Sequence, residues 1–83
     1  SGKTIEAKVK IASEERVNDF VDWFGKDVDF SRKDGNIFAE LKVNEDALIY
    51  WSLQYGEHVE ILEPAETRQK IKSALETMLK KYQ

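Results

Sequence analysis

The chain has 83 residues, of which 41% are hydrophobic and 35% charged, with no cysteine and a formal net charge of −3. A chain this short supports a single core, because it buries only about 60 to 65% of its unfolded surface. The lack of cysteine excludes disulfides and thiolate chemistry and favours a reducing cytoplasm. The negative charge disfavours direct nucleic-acid binding, which depends on clustered basic side chains. No apolar run reaches the roughly 20 residues that a bilayer span needs.

The first quarter of the chain predicts a strand followed by a helix. Ser1-Gly2 precedes any periodic pattern, and we interpret it as a cloning remnant or a domain cut. Residues 4–11 alternate between apolar and charged side chains, which is typical of a half-buried strand. Residues 13–24 repeat apolar side chains at helical spacing, and we expect the Ser13 hydroxyl to cap this helix and Gly25 to end it.

A hairpin follows, and Asp34-Gly35 is its turn. This dipeptide supplies the two positive-φ positions of a type I′ turn between strands 27–32 and 36–43. Counting outward from the turn pairs Phe30 with Ala39 and puts the apolar residues of both strands on one face. The turn chemistry and the binary pattern therefore predict the same register.

The second half predicts a helix, a strand and a final helix. Asn44 is the expected cap of helix 45–55, strand 58–62 comes next, and helix 64–82 closes the chain. The predicted order is β-α-β-β-α-β-α in one domain over residues 1–83. We expect an α+β fold, namely a ferredoxin-like βαββαβ antiparallel sheet with an additional C-terminal helix.

Three helical surfaces are predicted to contact a partner. Trp23 lies roughly 110° from the apolar stripe of its helix, which favours equally an interface and packing under the last helix. The second helix is apolar on its back as well as on its core face. The last helix has a stripe that we expect to pack on the second helix or on a partner: Ile71, Ala74, Leu75, Met78, Leu79 and Tyr82. The predicted interface residues are Trp23, Ile49, Tyr50, Leu53, Met78 and Tyr82.

No arrangement of residues indicates catalysis or metal binding. His58 is the only histidine and has no partner at metal-ligand spacing, so a solvent-facing strand residue is the favoured interpretation. Asp27 and Asp29 have nothing apolar nearby to raise a pKa, which favours a solvated strand edge over acid-base chemistry. Trp51 and Tyr55 share a face with the predicted core, which favours packing over ligand stacking. We expect no enzyme activity, no catalytic residue, no metal and no cofactor.

Several segments together resemble one known family. The Asp34-Gly35 hairpin, Trp51–Gly56, Val59–Pro64 and Thr67-Arg68-Gln69 occur in the order and spacing of the C-terminal extension of WYL-domain transcriptional regulators, the WCX domain. The chain departs from that pattern at Ser52, where an aliphatic residue is usual, and at Tyr55, where phenylalanine is usual.

The resemblance implies a cytoplasmic bacterial regulator in which a helix-turn-helix binds DNA, a WYL domain senses a ligand, and this domain comes last. The implied partners are the WYL sensor domain of the same chain and a second copy in a homodimer, with DNA bound by the full-length protein and not by this domain. No membrane partner is implied. The role implied for this domain is regulatory, through dimer assembly and domain contacts. The alternative is a small-molecule-binding regulatory domain of ferredoxin-like fold.

Overall fold

The computed structural model describes residues 2–83, and Ser1, interpreted above as part of a remnant, lies outside them. The elements are β1 (Thr4–Ile11), α1 (Glu14–Phe24), β2 (Asp29–Lys33), β3 (Asn36–Asn44), α2 (Glu45–Gln54), β4 (Val59–Glu63) and α3 (Ala65–Lys80). The four strands form an antiparallel sheet in the order β2-β3-β1-β4. This is the strand order of the ferredoxin-like fold, so the predicted fold class is confirmed.

The core lies between one face of the sheet and the helices α1 and α2. Alternate residues of β1 and β3 point to this face, as the period-2 pattern predicts. Phe20 of α1 and Leu48 and Trp51 of α2 are almost fully buried against them. Edge-to-face ring contacts join Phe20 to Trp51, with ring centroids 5.0 Å apart. The short chain therefore concentrates its packing in one aromatic-rich cluster.

The hairpin has the predicted turn and register. Asp34 and Gly35 have φ of 51° and 79°, and Phe30 pairs with Ala39. The second strand starts at Asp29 rather than at the predicted residue 27, because the chain is still turning after Gly25, where φ is 85°.

The helix ends show which capping predictions hold. The Asn44 side chain accepts a hydrogen bond from the Ala47 backbone N–H at 3.0 Å, as expected. The Ser13 prediction is wrong: Ser13 occupies the cap position, but its hydroxyl makes no capping bond, and only its backbone carbonyl accepts from Arg16 N at 3.1 Å. The remaining element ends lie within one or two residues of the predicted ones.

The other face of the sheet is polar. Cross-strand neighbours have opposite charge, as in Glu6 beside Lys42 and Lys10 beside Glu60. Over residues 2–83, no helix is long and apolar enough to cross a membrane.

Candidate functional site

The last helix, α3, is fixed to the body of the domain at its first turns. Thr67 is completely buried, and its hydroxyl donates to Glu45 Oε2 at 2.6 Å. Lys70 donates to the other carboxylate oxygen, Glu45 Oε1, also at 2.6 Å. Glu45 is the first residue of α2 and is only 3% exposed, so its charge is compensated by direct partners. We call Glu45, Thr67 and Lys70 the anchor of α3.

The electrostatics of the anchor follow from these contacts. The Lys70 ammonium and the Thr67 hydroxyl hold the pKa of Glu45 below its ordinary value, and Glu45 raises the pKa of Lys70. Glu66 accepts from Lys3 Nζ at 2.9 Å and lies 3.7 Å from Lys70 Nζ. Its pKa is lowered chiefly by the hydrogen bond from Lys3. The anchor is therefore charged and paired at neutral pH.

A second contact sets the side of α3 that faces the sheet. Arg68 Nη1 donates to Glu60 Oε2 at 2.7 Å and to the Ile61 carbonyl at 3.0 Å, both on the edge strand β4. The helix therefore runs along this edge and beside α2.

Beyond its first turns, α3 leaves the body of the domain. Ile71 and Ala74 are partly buried, whereas Leu75, Met78, Leu79 and Tyr82 are 41% to 88% exposed. Of the two expectations for the stripe, packing on α2 within the chain accounts for Ile71 and Ala74 only in part, and packing of the other four residues on a partner stays a prediction. We call these four residues the exposed stripe. The first three lie in the last turns of α3, and Tyr82 follows the end of the helix at Lys80, with its backbone N–H donating to the Leu79 carbonyl at 3.0 Å.

An open groove lies beside the exposed stripe, with a volume of about 1210 Å³. One wall is α3 and the other is formed by residues 52–61, from the end of α2 through β4. Its apolar walls include Leu53, Tyr55 and Val59, facing Leu75 and Leu79. The groove and the exposed stripe form one continuous, largely apolar surface.

The six predicted interface residues all retain accessible surface. Trp23 is 55% exposed and Tyr50 77% exposed, while Ile49 and Leu53 are partly buried. Leu53 lines the groove, and Met78 belongs with Tyr82 to the exposed stripe. Their role in an interface remains a prediction.

Trp51, Ser52 and Tyr55 lie inside the fold or at its edge. Trp51 is 1% exposed and its ring centroid is 4.8 Å from that of Tyr55, so packing is the correct interpretation of this pair. Ser52 is 5% exposed, and neither its hydroxyl nor the Trp51 indole N–H has a hydrogen-bond partner among residues 2–83. A buried, unpaired hydroxyl lowers stability, which gives the departure from the usual aliphatic residue a physical consequence.

The other residues considered for chemistry do not come together. Asp27 and Asp29 are exposed, and Asp27 lies outside β2. His58 is half-buried just before β4, and its backbone carbonyl accepts from Ala12 N at 2.9 Å. No group of three His, Cys, Asp or Glu side chains that could hold a metal ion occurs within the described part of the chain.

The anchor was not found by reading the sequence. The sequence places Glu45 only in the helix 45–55 and Lys70 only in the helix 64–82. Thr67 and Lys70 lie 22 and 25 residues after Glu45, and no local periodicity links them to it. The available signal was Thr67, a polar residue four positions before Ile71 and so on the same face as the apolar stripe.

Comparison with known families decides the relationship. The sequence model of the WCX domain matches residues 3–79. The chain belongs to the WCX domain family. WCX is the C-terminal extension of WYL-domain regulators, so the resemblance carried by Trp51–Gly56 and Val59–Pro64 is confirmed. The anchor, the groove and most of the exposed stripe lie inside the matched region of this WCX domain. A search of curated proteins gives no match.

Proposed function

We propose that this WCX domain is a regulatory contact module, whose exposed stripe and adjoining groove bind another part of a WYL-domain regulator or a second copy of it. The observation that carries the proposal is the contrast along α3. Its first turns are locked by a buried carboxylate, whereas Leu75, Met78 and Leu79 in its last turns are exposed, as is Tyr82 just after the helix. Continuous exposed apolar surface of this kind marks interaction sites in soluble proteins.

The energetics favour a macromolecular partner for this surface. Each apolar side chain moved from water to an interface contributes about 1.5 to 3 kcal/mol when fully buried, so a few such residues dominate binding. The polar face of the sheet, with its alternating charges, offers no comparable contribution. The module needs no catalytic residue or cofactor, and DNA recognition belongs to another domain of the regulator.

The test is a whole regulator carrying Leu75→Lys and Leu79→Lys. Leu75 is 49% and Leu79 58% exposed, so we expect the fold to be preserved. We expect assembly, measured by sedimentation velocity, to weaken about tenfold or more, since central apolar contacts dominate interfaces. Operator binding should change in parallel.

A matched control adds the same two charges to the polar side of the domain through Thr4→Lys and Ser31→Lys, both at exposed positions. A further variant, Trp23→Ala with Tyr50→Ala, tests the outer surfaces of α1 and α2. Unchanged assembly and operator binding with the stripe variant would contradict the proposal.

A second function is favoured by the groove itself. Its volume of about 1210 Å³ is large enough for a small molecule, and its apolar walls carry Arg68 and Gln69 as polar groups. A small-molecule-binding regulatory domain predicts a thermal shift when the isolated domain is screened against nucleotides and amino acids. A contact module predicts no shift in that screen.

A further inference from the structure

The segment by which the chain enters the domain is bonded to the residue that holds α3. The Glu45 backbone N–H donates to the Lys3 carbonyl at 2.8 Å, while the Glu45 side chain accepts from Thr67 and Lys70. A single residue therefore connects the entry of β1 to the first turns of α3. Neither connection is a local contact in sequence.

Two further bonds strengthen the connection. The Asn44 side-chain amide, which also caps α2, donates to the Gly2 carbonyl at 3.0 Å. The Lys3 ammonium reaches the first turn of α3 directly, through Glu66 at 2.9 Å. The backbone of Gly2 and Lys3 is thus bonded to the start of α2, and the Lys3 side chain to α3.

From this geometry we infer that the position of the entry segment at Lys3 controls how firmly α3 is held, and so how its exposed stripe is presented. Because WCX follows the WYL domain and the family match begins at residue 3, the preceding part of a regulator reaches the domain at Lys3. If the preceding part of the regulator moved, it would draw the Lys3 carbonyl away from the Glu45 N–H. The Glu45 carboxylate would then shift away from Thr67. The consequence for assembly rests on the function proposed above, but the coupling itself does not.

The close approach of Gly2 to α2 provides a way to displace the entry segment. A Cβ at position 2 would lie 2.8 Å from Asp46 Cγ and 3.1 Å from the Asp46 backbone nitrogen. The Asp46 side chain can move aside, but the backbone nitrogen belongs to α2, so Gly2→Val requires the entry segment to shift by a few tenths of an ångström. Lys3→Ala is the milder variant, which removes only the bond to Glu66.

The experiment measures amide hydrogen exchange by NMR in the 83-residue chain and in its variants. Arg68 to Ile71 report on α3, since Arg68 N–H is the first of this helix bonded to the preceding turn, at 3.0 Å to the Pro64 carbonyl. Val9 and Leu41, in the centre of the sheet, report on global unfolding. Thr67→Val serves as the reference for a helix released directly from its anchor.

We expect Gly2→Val to speed exchange in Arg68 to Ile71 about tenfold, close to the effect of Thr67→Val, with Val9 and Leu41 unchanged, because only one locally cooperative unit opens. Lys3→Ala should give a smaller change in the same amides. Combining Gly2→Val with Thr67→Val should add little, since both act through Glu45.

Two results would overturn the inference. In the first, the amide exchange rates of α3 in Gly2→Val stay within about twofold of those in the parent, while Thr67→Val accelerates them. A locally coupled unit would respond to both substitutions. The other is equal acceleration of α3 and sheet amides in both Gly2→Val and Lys3→Ala, which would mean that the entry segment supports the whole fold and does not act on α3. Neither readout depends on whether the exposed stripe binds anything.

Discussion

Replacing Ser52 with alanine should stabilise the domain. The Ser52 side chain is 5% exposed and its hydroxyl has no hydrogen-bond partner within residues 2–83. A buried hydroxyl without a partner costs roughly 1 to 3 kcal/mol, and alanine is also the better helix former by about 0.5 kcal/mol. Only one atom is removed, so the loss of packing offsets a small part of this gain. We expect Ser52→Ala to raise the free energy of unfolding by about 1.5 kcal/mol.

The assay is thermal and urea unfolding followed by circular dichroism. For a domain of this size, a gain of about 1.5 kcal/mol raises the midpoint temperature by roughly 6 to 12 °C. The m-value should stay constant, because the surface exposed on unfolding does not change. Ser73→Ala is the control, since Ser73 is exposed on α3 and should change stability by less than about 0.5 kcal/mol. A less stable Ser52→Ala variant would refute the reasoning, because it would show that the hydroxyl is bonded in the folded domain.

Three further predictions concern the anchor, the caps and the core. The pKa of Glu45 is lowered in the fold, so the contribution of its carboxylate is complete above the ordinary value of 4.5 and is lost as the pH falls through the lower folded pKa. Urea midpoints of the parent and of Glu45→Gln should therefore differ at pH 7 and converge towards pH 3; a constant difference would contradict this assignment. Asn44→Ala should lower the free energy of unfolding by about 1 kcal/mol, and Ser13→Ala should leave it almost unchanged, because only the Asn44 side chain caps a helix. Equal losses of stability in thermal unfolding would contradict this assignment of the caps. Leu48→Ala, at a fully buried position, should cost about 2 to 5 kcal/mol in urea unfolding, and a loss below 1 kcal/mol would contradict its place in the core.

The fold could be predicted from the sequence because its signals are local. Alternation in residues 4–11, the turn at Asp34-Gly35 and the cap at Asn44 each act over a few residues, and all of them agree. Ser13 shows the limit of such signals. A serine at a cap position is compatible with capping, but whether its hydroxyl points to the helix depends on the local rotamer.

The candidate site was predicted only in part. The apolar stripe of α3 follows from helical periodicity, whereas its exposure does not. The exposure of Trp23 follows from its angle to the apolar stripe of α1. The anchor could not be predicted, because it depends on where α3 crosses the start of α2.

The most direct test of the account is whether the exposed stripe becomes covered in a whole WYL-domain regulator. Hydroxyl-radical oxidation of Met78 and Tyr82 can be compared between the isolated domain and the regulator, with Phe38 on the polar face of the sheet as an internal reference. The account predicts that both residues react several-fold more slowly in the regulator, relative to Phe38, because a partner buries them. Equal relative reactivity in the two proteins would contradict the claim that α3 presents a contact surface.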